Sequence, residues 1–220
     1  MLTRRQLFNA TAVSVIVGAA VSGATLPRLT TPAKADDTAS AADLAQASPD
    51  GDVVLGSDKA PVTIIEYASM TCPHCADFSI TTFPELKRRY IDTGKVRFIM
   101  REFPLDVLAA TGFMLARCAG KEKYMAVVET LFAKQADWIV KEPVPPLKEI
   151  AKQFGFTDES FNQCLTNQKV LDDIQAVRDR AVQKLAVNST PTFFINGKKL
   201  VGDVSIEEMA KEIEPYLKAG

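Results

Sequence analysis

The sequence predicts an α/β fold: a β-α-β unit and a β-β-α unit, the two halves of one core, with a helical domain inserted between them. Three observations predict it. Apolar, β-branched runs at 61–67 and 96–103 flank a stretch with helical spacing. Residues 105–187 then read as one helix after another. Finally a β signal returns at 192–201, followed by one more helical pattern.

Of the 220 residues, 47% are hydrophobic and 24% charged, a globular balance long enough for one domain carrying an insertion. The near-neutral total conceals an asymmetry. Residues 1–35 hold Arg4, Arg5, Arg28 and Lys34 and no acid, which leaves 22 basic against 27 acidic residues for the rest. No nucleic-acid partner is expected of that balance.

Residues 1–35 read as a cleaved export signal. Arg4 and Arg5 form the charged start, Ala10 to Ala24 an apolar stretch of small residues, and Ala33-Lys34-Ala35 fits the A-x-A cleavage pattern. The stretch is too short and too rich in Ala, Gly and Ser to make a good permanent anchor, so no stable membrane insertion is expected. Thr3-Arg4-Arg5-Gln6-Leu7-Phe8 resembles, in part, a twin-arginine signal, and Arg28 and Lys34 suit that route better than the general secretory one. Either route leads to the periplasm, where disulfides persist. Residues 36–52, rich in Ala, Ser and Asp with Pro49 and Gly51, read as a solvated linker. A short helix over 39–47 that mediates association is the alternative, although isolated helices of that length are marginal.

The core begins near Val53 and is expected over 53–104 and 188–220, with 105–187 as the insertion. Val53 to Leu55 is a short strand, and Pro61 to Tyr67 a strand apolar enough for burial on both faces. Phe78, Phe83, Leu86 and Tyr90 give the next segment a helical stripe, which Pro84 should kink and Gly94 close. Val96 to Phe103 is the following strand. Helices are expected over 105–119 and 122–134, then from Leu147 behind Pro146, from Thr157 as a cap, and over 169–187. Asn196-Gly197 between two short strands is the strongest short-range hairpin signal in the chain. Ser205 and Glu208 form a capping box for the last helix.

Cys72-Pro73-His74-Cys75 stands where strand hands over to helix. At a helix start, unpaired N–H groups and the dipole favour negative charge, and so lower the thiol pKa of Cys72. Pro73 suits a first helical turn because it lacks a donor that would go unsatisfied there. His74, the only histidine in the chain, can add a donor or a positive charge beside the sulfur. Cys75, one turn on, can close a reversible disulfide. What stabilises the thiolate stabilises the reduced protein, so the pair leans towards an oxidant. Half of a zinc site is the competing reading, but the other half of the ligand set is missing; no metal or other cofactor is expected. An inert structural disulfide is the third.

Glu66 to Cys75, reading EYASMTCPHC, the helical insertion, and Thr190-Pro191 before the last hairpin together resemble the DsbA family of periplasmic thiol:disulfide oxidoreductases, over nearly all of 53–220. The resemblance implies a thioredoxin-like fold with an inserted helical domain. It implies Cys72 as nucleophile, Cys75 as resolving thiol, and Pro191 as a cis-proline facing them. The backbone before that proline, at Thr190, would pair with an extended substrate, beside Pro73 and His74. Glu66 matches a buried acid that shuttles the proton of the resolving thiol; a strand residue pointing to solvent is the alternative. Reduced exported proteins would be the substrates, a DsbB-like membrane protein the reoxidant, and the protein a monomer.

Cys118 and Cys164 fall on different helices of the insertion. An even pair in an oxidising compartment is expected to be bridged, as a structural disulfide; two buried cysteines acting as small hydrophobes are the alternative. Met70 beside the motif is read as packing, and Trp138 as lining the insertion. Two rival functions stand beside disulfide donation. One is an isomerase or reductase of the DsbC/DsbG or ScsC type, oligomeric through its N-terminal segment. The other is a periplasmic protein that captures copper with the Cys72 and Cys75 thiolates.

Overall fold

The computed structural model describes residues 39–218, and the expected export signal at 1–35 lies outside them. A five-stranded sheet forms the centre: β1 (Val53–Leu55), β2 (Val62–Ala68), β3 (Val96–Glu102), β4 (Thr192–Ile195) and β5 (Lys198–Val201), in the spatial order β1-β3-β2-β4-β5. β2 and β3 run parallel; every other pairing is antiparallel.

Alternation along the strands gives the sheet two different faces. Ile64 and Ala68 of β2, with Phe98 and Met100 of β3 and Phe193 of β4, belong to the larger core, which continues into the helices of the insertion. Ile65, Tyr67, Ile99 and Phe194 point the other way, into a smaller core closed by Val177, Ala181 and Leu185. The central strands are apolar on both sides for this reason. Glu66, between Ile64 and Ala68, therefore faces the larger core.

The helix after β2 changes pitch three times. α2 (Pro73–Asp77) passes through a π turn, Phe78–Thr82, into α3 (Phe83–Leu86) and a second π turn, Lys87–Ile91. The π turn sits just before Pro84, where the Phe83 N–H reaches back to the Phe78 carbonyl. The wider turn accommodates a proline that would otherwise break the α-helical ladder.

The insertion consists of α4 (Val107–Cys118), α5 (Lys121–Ala133), α6 (Gln135–Trp138), α7 (Val144–Lys152), α8 (Asp158–Leu165) and α9 (Gln168–Leu185). Asp106, Thr157 and Asn167 cap α4, α8 and α9 with their side chains. α7 starts two residues before Pro146, because neither Pro145 nor Pro146 needs an N–H in the first turn. α6 is a single turn that composition does not separate from α5. Its Trp138 is fully buried and donates from Nε1 to the Leu131 carbonyl at 2.8 Å. Cys118 and Cys164 are bridged, which ties α4 to α8. Closing a loop with a sequence separation of 46 contributes about 4 kcal/mol by the chain-entropy estimate. α10 (Ile206–Lys218) returns to the larger core, capped by Ser205 and Glu208.

Residues 36–52, read from composition as a solvated linker, differ in the part that is described. α1 (Ala41–Ala45) buries Leu44, and the Ala39 N–H donates to the Gly197 carbonyl. The reason is a charge on the sheet. Arg101 of β3 is 1% exposed and points into the smaller core. It donates from Nε and Nη2 to the two carboxylate oxygens of Asp52 at 3.1 and 2.9 Å, to the Leu44 carbonyl at 3.0 Å, and to the Tyr67 hydroxyl at 3.0 Å. A buried guanidinium requires these partners, and the polar N-terminal segment supplies most of them. Among the described residues, no helix is long and apolar enough to cross a membrane.

Asp52→Ala is expected to lower the unfolding free energy by about 3 kcal/mol, because it strands the Arg101 charge. A denaturant midpoint unchanged from that of the parent would show that the ion pair carries no such weight.

Candidate active site

Cys72 is the residue that caps the start of α2, with extended backbone and no side-chain hydrogen bond into the helix. Its sulfur thus lies where the first N–H groups of the turn are unpaired. The loop that delivers it is held on several sides. The Cys72 N–H donates to the Ser69 carbonyl at 3.0 Å, Ser69 Oγ accepts from the Leu105 N–H at 3.2 Å, and Thr71 Oγ1 donates to Asp106 Oδ2 at 2.6 Å. From α6, Gln135 Nε2 donates to the Met70 carbonyl at 2.9 Å and to the Cys72 carbonyl at 3.0 Å. Met70 is fully buried against α4. A Cβ added at Gly112 would lie 3.0 Å from the Met70 Cγ and 3.2 Å from its Cβ. A side chain there would press on Met70, which would have to give by a few tenths of an ångström.

Opposite Cys72 stands the turn into β4. The Thr190–Pro191 bond is cis. The Gly202 N–H donates to the Pro191 carbonyl at 2.9 Å, and Thr192 Oγ1 to the Ser189 carbonyl at 2.8 Å. The Thr190 carbonyl lies 3.3 Å from Cys72 Sγ. A carbonyl can only accept from the protonated thiol. The Thr190 hydroxyl oxygen is buried without a hydrogen-bond partner, and it is one of the groups near Cys72 that can donate to a thiolate.

Both cysteines of the pair are present as thiols, and their environments push them apart. The Cys75 S–H donates to Cys72 and is the largest influence lowering the Cys72 thiol to about 5; burial opposes it, and the Thr190 side chain and the Cys75 and His74 N–H groups add to it. Burial, first, and then the Cys72 and Glu66 charges push the Cys75 thiol far up. Cys75 is completely enclosed, whereas Cys72 keeps 6% exposure. Attack from outside therefore reaches only Cys72.

Glu66 is 1% exposed, not solvent-facing, and its Oε1 has no hydrogen-bond partner. Burial, with the nearby Cys72 charge second, raises its carboxyl to about 8. The acid is thus neutral at pH 7. Pro73 occupies the first turn of α2 and His74 is exposed beside it. His74, Asp77 and Asp203 bring one ligand atom each to within 4.8 Å, the one such cluster among the described residues, and all three are exposed. Exposed carboxylates gather without an ion often enough that the cluster alone defines no metal centre. The structure brings Cys72, Cys75, Glu66, Thr190 and Pro191 into one site with Pro73 and His74 at its rim, and leaves the Cys118–Cys164 bridge in the insertion. Gln135 and Asp106 joined the site without a sequence signal, because their roles depend on how the insertion docks.

This chain belongs to the thioredoxin family, in its DsbA-like branch with an inserted helical domain. A family model described as thioredoxin matches residues 48–215. The crystal structure of alpha-DsbA1 from Wolbachia pipientis superposes with a TM-score of 0.76 at 33% identity, covering 82% of this chain and 98% of that one. Disulfide bond formation protein D of Bacillus subtilis is 31% identical over 79% of this chain and 80% of that protein. A Rickettsia conorii protein with the provisional name protein-disulfide oxidoreductase is 34% identical over 76% of this chain; the match spans 61% of that longer protein.

Two titrations follow from the site. In the reduced protein, thiolate absorbance is expected to rise with a midpoint near pH 5 and to vanish in Cys72→Ser. A thiol held below its unfolded value of 9.0 adds stability that is complete above that pH and lost as pH falls towards 5. The reduced form should lose stability over that interval, which Cys72→Ser should not do. For Glu66 the sign is reversed. An acid raised from 4.5 to about 8 adds stability below pH 4.5 that is lost as pH rises to 8. Glu66→Gln should therefore be more stable than the parent at pH 8, by about 2–4 kcal/mol in unfolding experiments, with little difference near pH 4.

Proposed function

We propose that this protein is a thiol:disulfide oxidoreductase that donates the Cys72–Cys75 disulfide to reduced exported proteins. One observation carries the proposal: two thiols one turn apart, of which the outer is lowered to about 5 and the inner held protonated. Reduction of such a pair yields one stable thiolate and one stable thiol, so the disulfide gives up its oxidising equivalents readily.

The reaction balances on the chain's own groups. A substrate thiolate attacks Cys72 Sγ of the oxidised pair; the Cys72–Cys75 bond breaks and a substrate–Cys72 disulfide forms. Cys75 leaves as a thiolate and takes a proton from the Glu66 carboxyl, which is protonated at neutral pH and faces the same core. A second substrate thiolate attacks its partner sulfur and expels Cys72, whose low pKa makes it a good leaving group. Substrate loses two electrons and the Cys72–Cys75 pair gains them. The turn at Thr190 and Pro191 offers backbone to an extended substrate beside the sulfur, with Pro73 and His74 at its edge, and His74 supplies a donor near the thiolate. A DsbB-like membrane partner would take the electrons onward and restore the disulfide, in the periplasm.

A monomer suits this reading. An oligomeric isomerase would use the N-terminal segment for association, and residues 39–52 are instead engaged by Arg101 of their own sheet.

Equilibration with glutathione tests the proposal. The potential is expected well above thioredoxin's, about −270 mV, in a monomer that oxidises a reduced protein substrate. Cys72→Ala should abolish the activity, and Cys75→Ala should accumulate the mixed disulfide. A potential near thioredoxin's, or an oligomer that shuffles disulfides faster than it forms them, would replace donation by reduction or isomerisation.

A further inference from the structure

We infer that Gln135 is a positioning residue for the redox chemistry: from the insertion, its amide sets the reactivity of Cys72. The inference rests on the reading that Cys72 is the attacked sulfur.

The geometry is specific. A single amide nitrogen donates at once to the Met70 carbonyl at 2.9 Å and the Cys72 carbonyl at 3.0 Å, the second of which also accepts the first helical bond of the turn, from the Ala76 N–H at 3.2 Å. Met70 is fully buried, so without Gln135 its carbonyl would be left dry and unpaired. Both carbonyls belong to the segment carrying the sulfur, and an NH2 group bonded to both fixes the peptides on either side of Thr71 and so the place of the sulfur at the helix start. The Cys72 carbonyl points along α2, because it accepts from the Ala76 N–H, and a donor on its oxygen polarises that peptide in the sense of the helix dipole, positive end towards the helix start. In a desolvated site such dipoles act more strongly than in water.

Gln135 is also held independently of the motif. It begins α6, whose Trp138 is fully buried and bonded to Leu131 of the preceding helix. The anchor thus lies in the insertion, and the bond crosses from it to the core. Leu105 and Asp106 also cross from the insertion to this loop, and they stop at Ser69 and Thr71, short of the sulfur. Among the described residues of the insertion, Gln135 alone bonds to the cysteine's own peptide.

Gln135→Met keeps length, volume and helix preference but donates nothing, and Gln135→Glu puts an acceptor in the same place. The thiolate absorbance of each reduced protein is titrated, its equilibrium with glutathione measured, and the unfolding midpoint of the oxidised form recorded. Gln135→Met is expected to raise the Cys72 pKa by about one unit and move the glutathione equilibrium about tenfold against the reduced protein, roughly 30 mV. Gln135→Glu should go further in the same direction. If both variants stay within twofold of the parent in that equilibrium, with unchanged titrations, the inference falls, whatever happens to the unfolding midpoint. A parent thiol that itself titrates near 9 would instead overturn the reading of Cys72, and this inference with it.

Discussion

Two sulfurs one helical turn apart are given opposite ionisation preferences, and the rest of the structure preserves that difference. The outer sulfur meets the unpaired N–H groups of a helix start and a thiol donor from the turn above. The inner one meets hydrocarbon and a buried carboxyl. Neither effect needs a cofactor. Both need the sulfurs to stay within a hydrogen bond of each other and away from bulk water, which a solvated loop could not ensure.

The scaffold meets that need by separating its tasks between the sheet faces. On one face Ile64, Phe98 and Phe193 pack against the active-site helix, and two acids point inward there: Glu102, which accepts from Arg117 and Tyr124, and Glu66, whose Oε1 has no partner. On the other face Arg101 gathers Tyr67, Asp52 and the N-terminal segment into a polar knot. The alternation of β2 and β3 places a buried acid raised to about 8 on one side, and a permanently charged guanidinium on the other. Their fields are kept apart by the thickness of a pleated strand, so the guanidinium does not hold Glu66 ionised.

Much of this was legible in the residues. The motif, the order of strands and helices, the Asn-Gly hairpin and the caps at Thr157 and Ser205 are local signals, because each depends on neighbours within a few positions. Residues 39–52 were misread for a corresponding reason. Their composition is that of a solvated segment, and what recruits them is one arginine some fifty positions later whose burial no periodicity reveals. Gln135 was hidden in the same way: a glutamine in a helical stretch looks like surface until α6 is seen to turn back towards the motif. The π turns around Pro84 lay between the two cases, since the proline announces a disturbance but not its form.

The chain contains one tryptophan. Trp138 stands on the same single turn as Gln135, with its indole N–H committed to a backbone carbonyl and its ring out of water. Tryptophan emission, excited beyond the tyrosine band, therefore originates at the joint between the helical domain and the loop that carries Cys72. A shift in its wavelength on oxidation would report a change around that joint, so the native chain carries its own optical gauge of the domain contact and needs no attached dye.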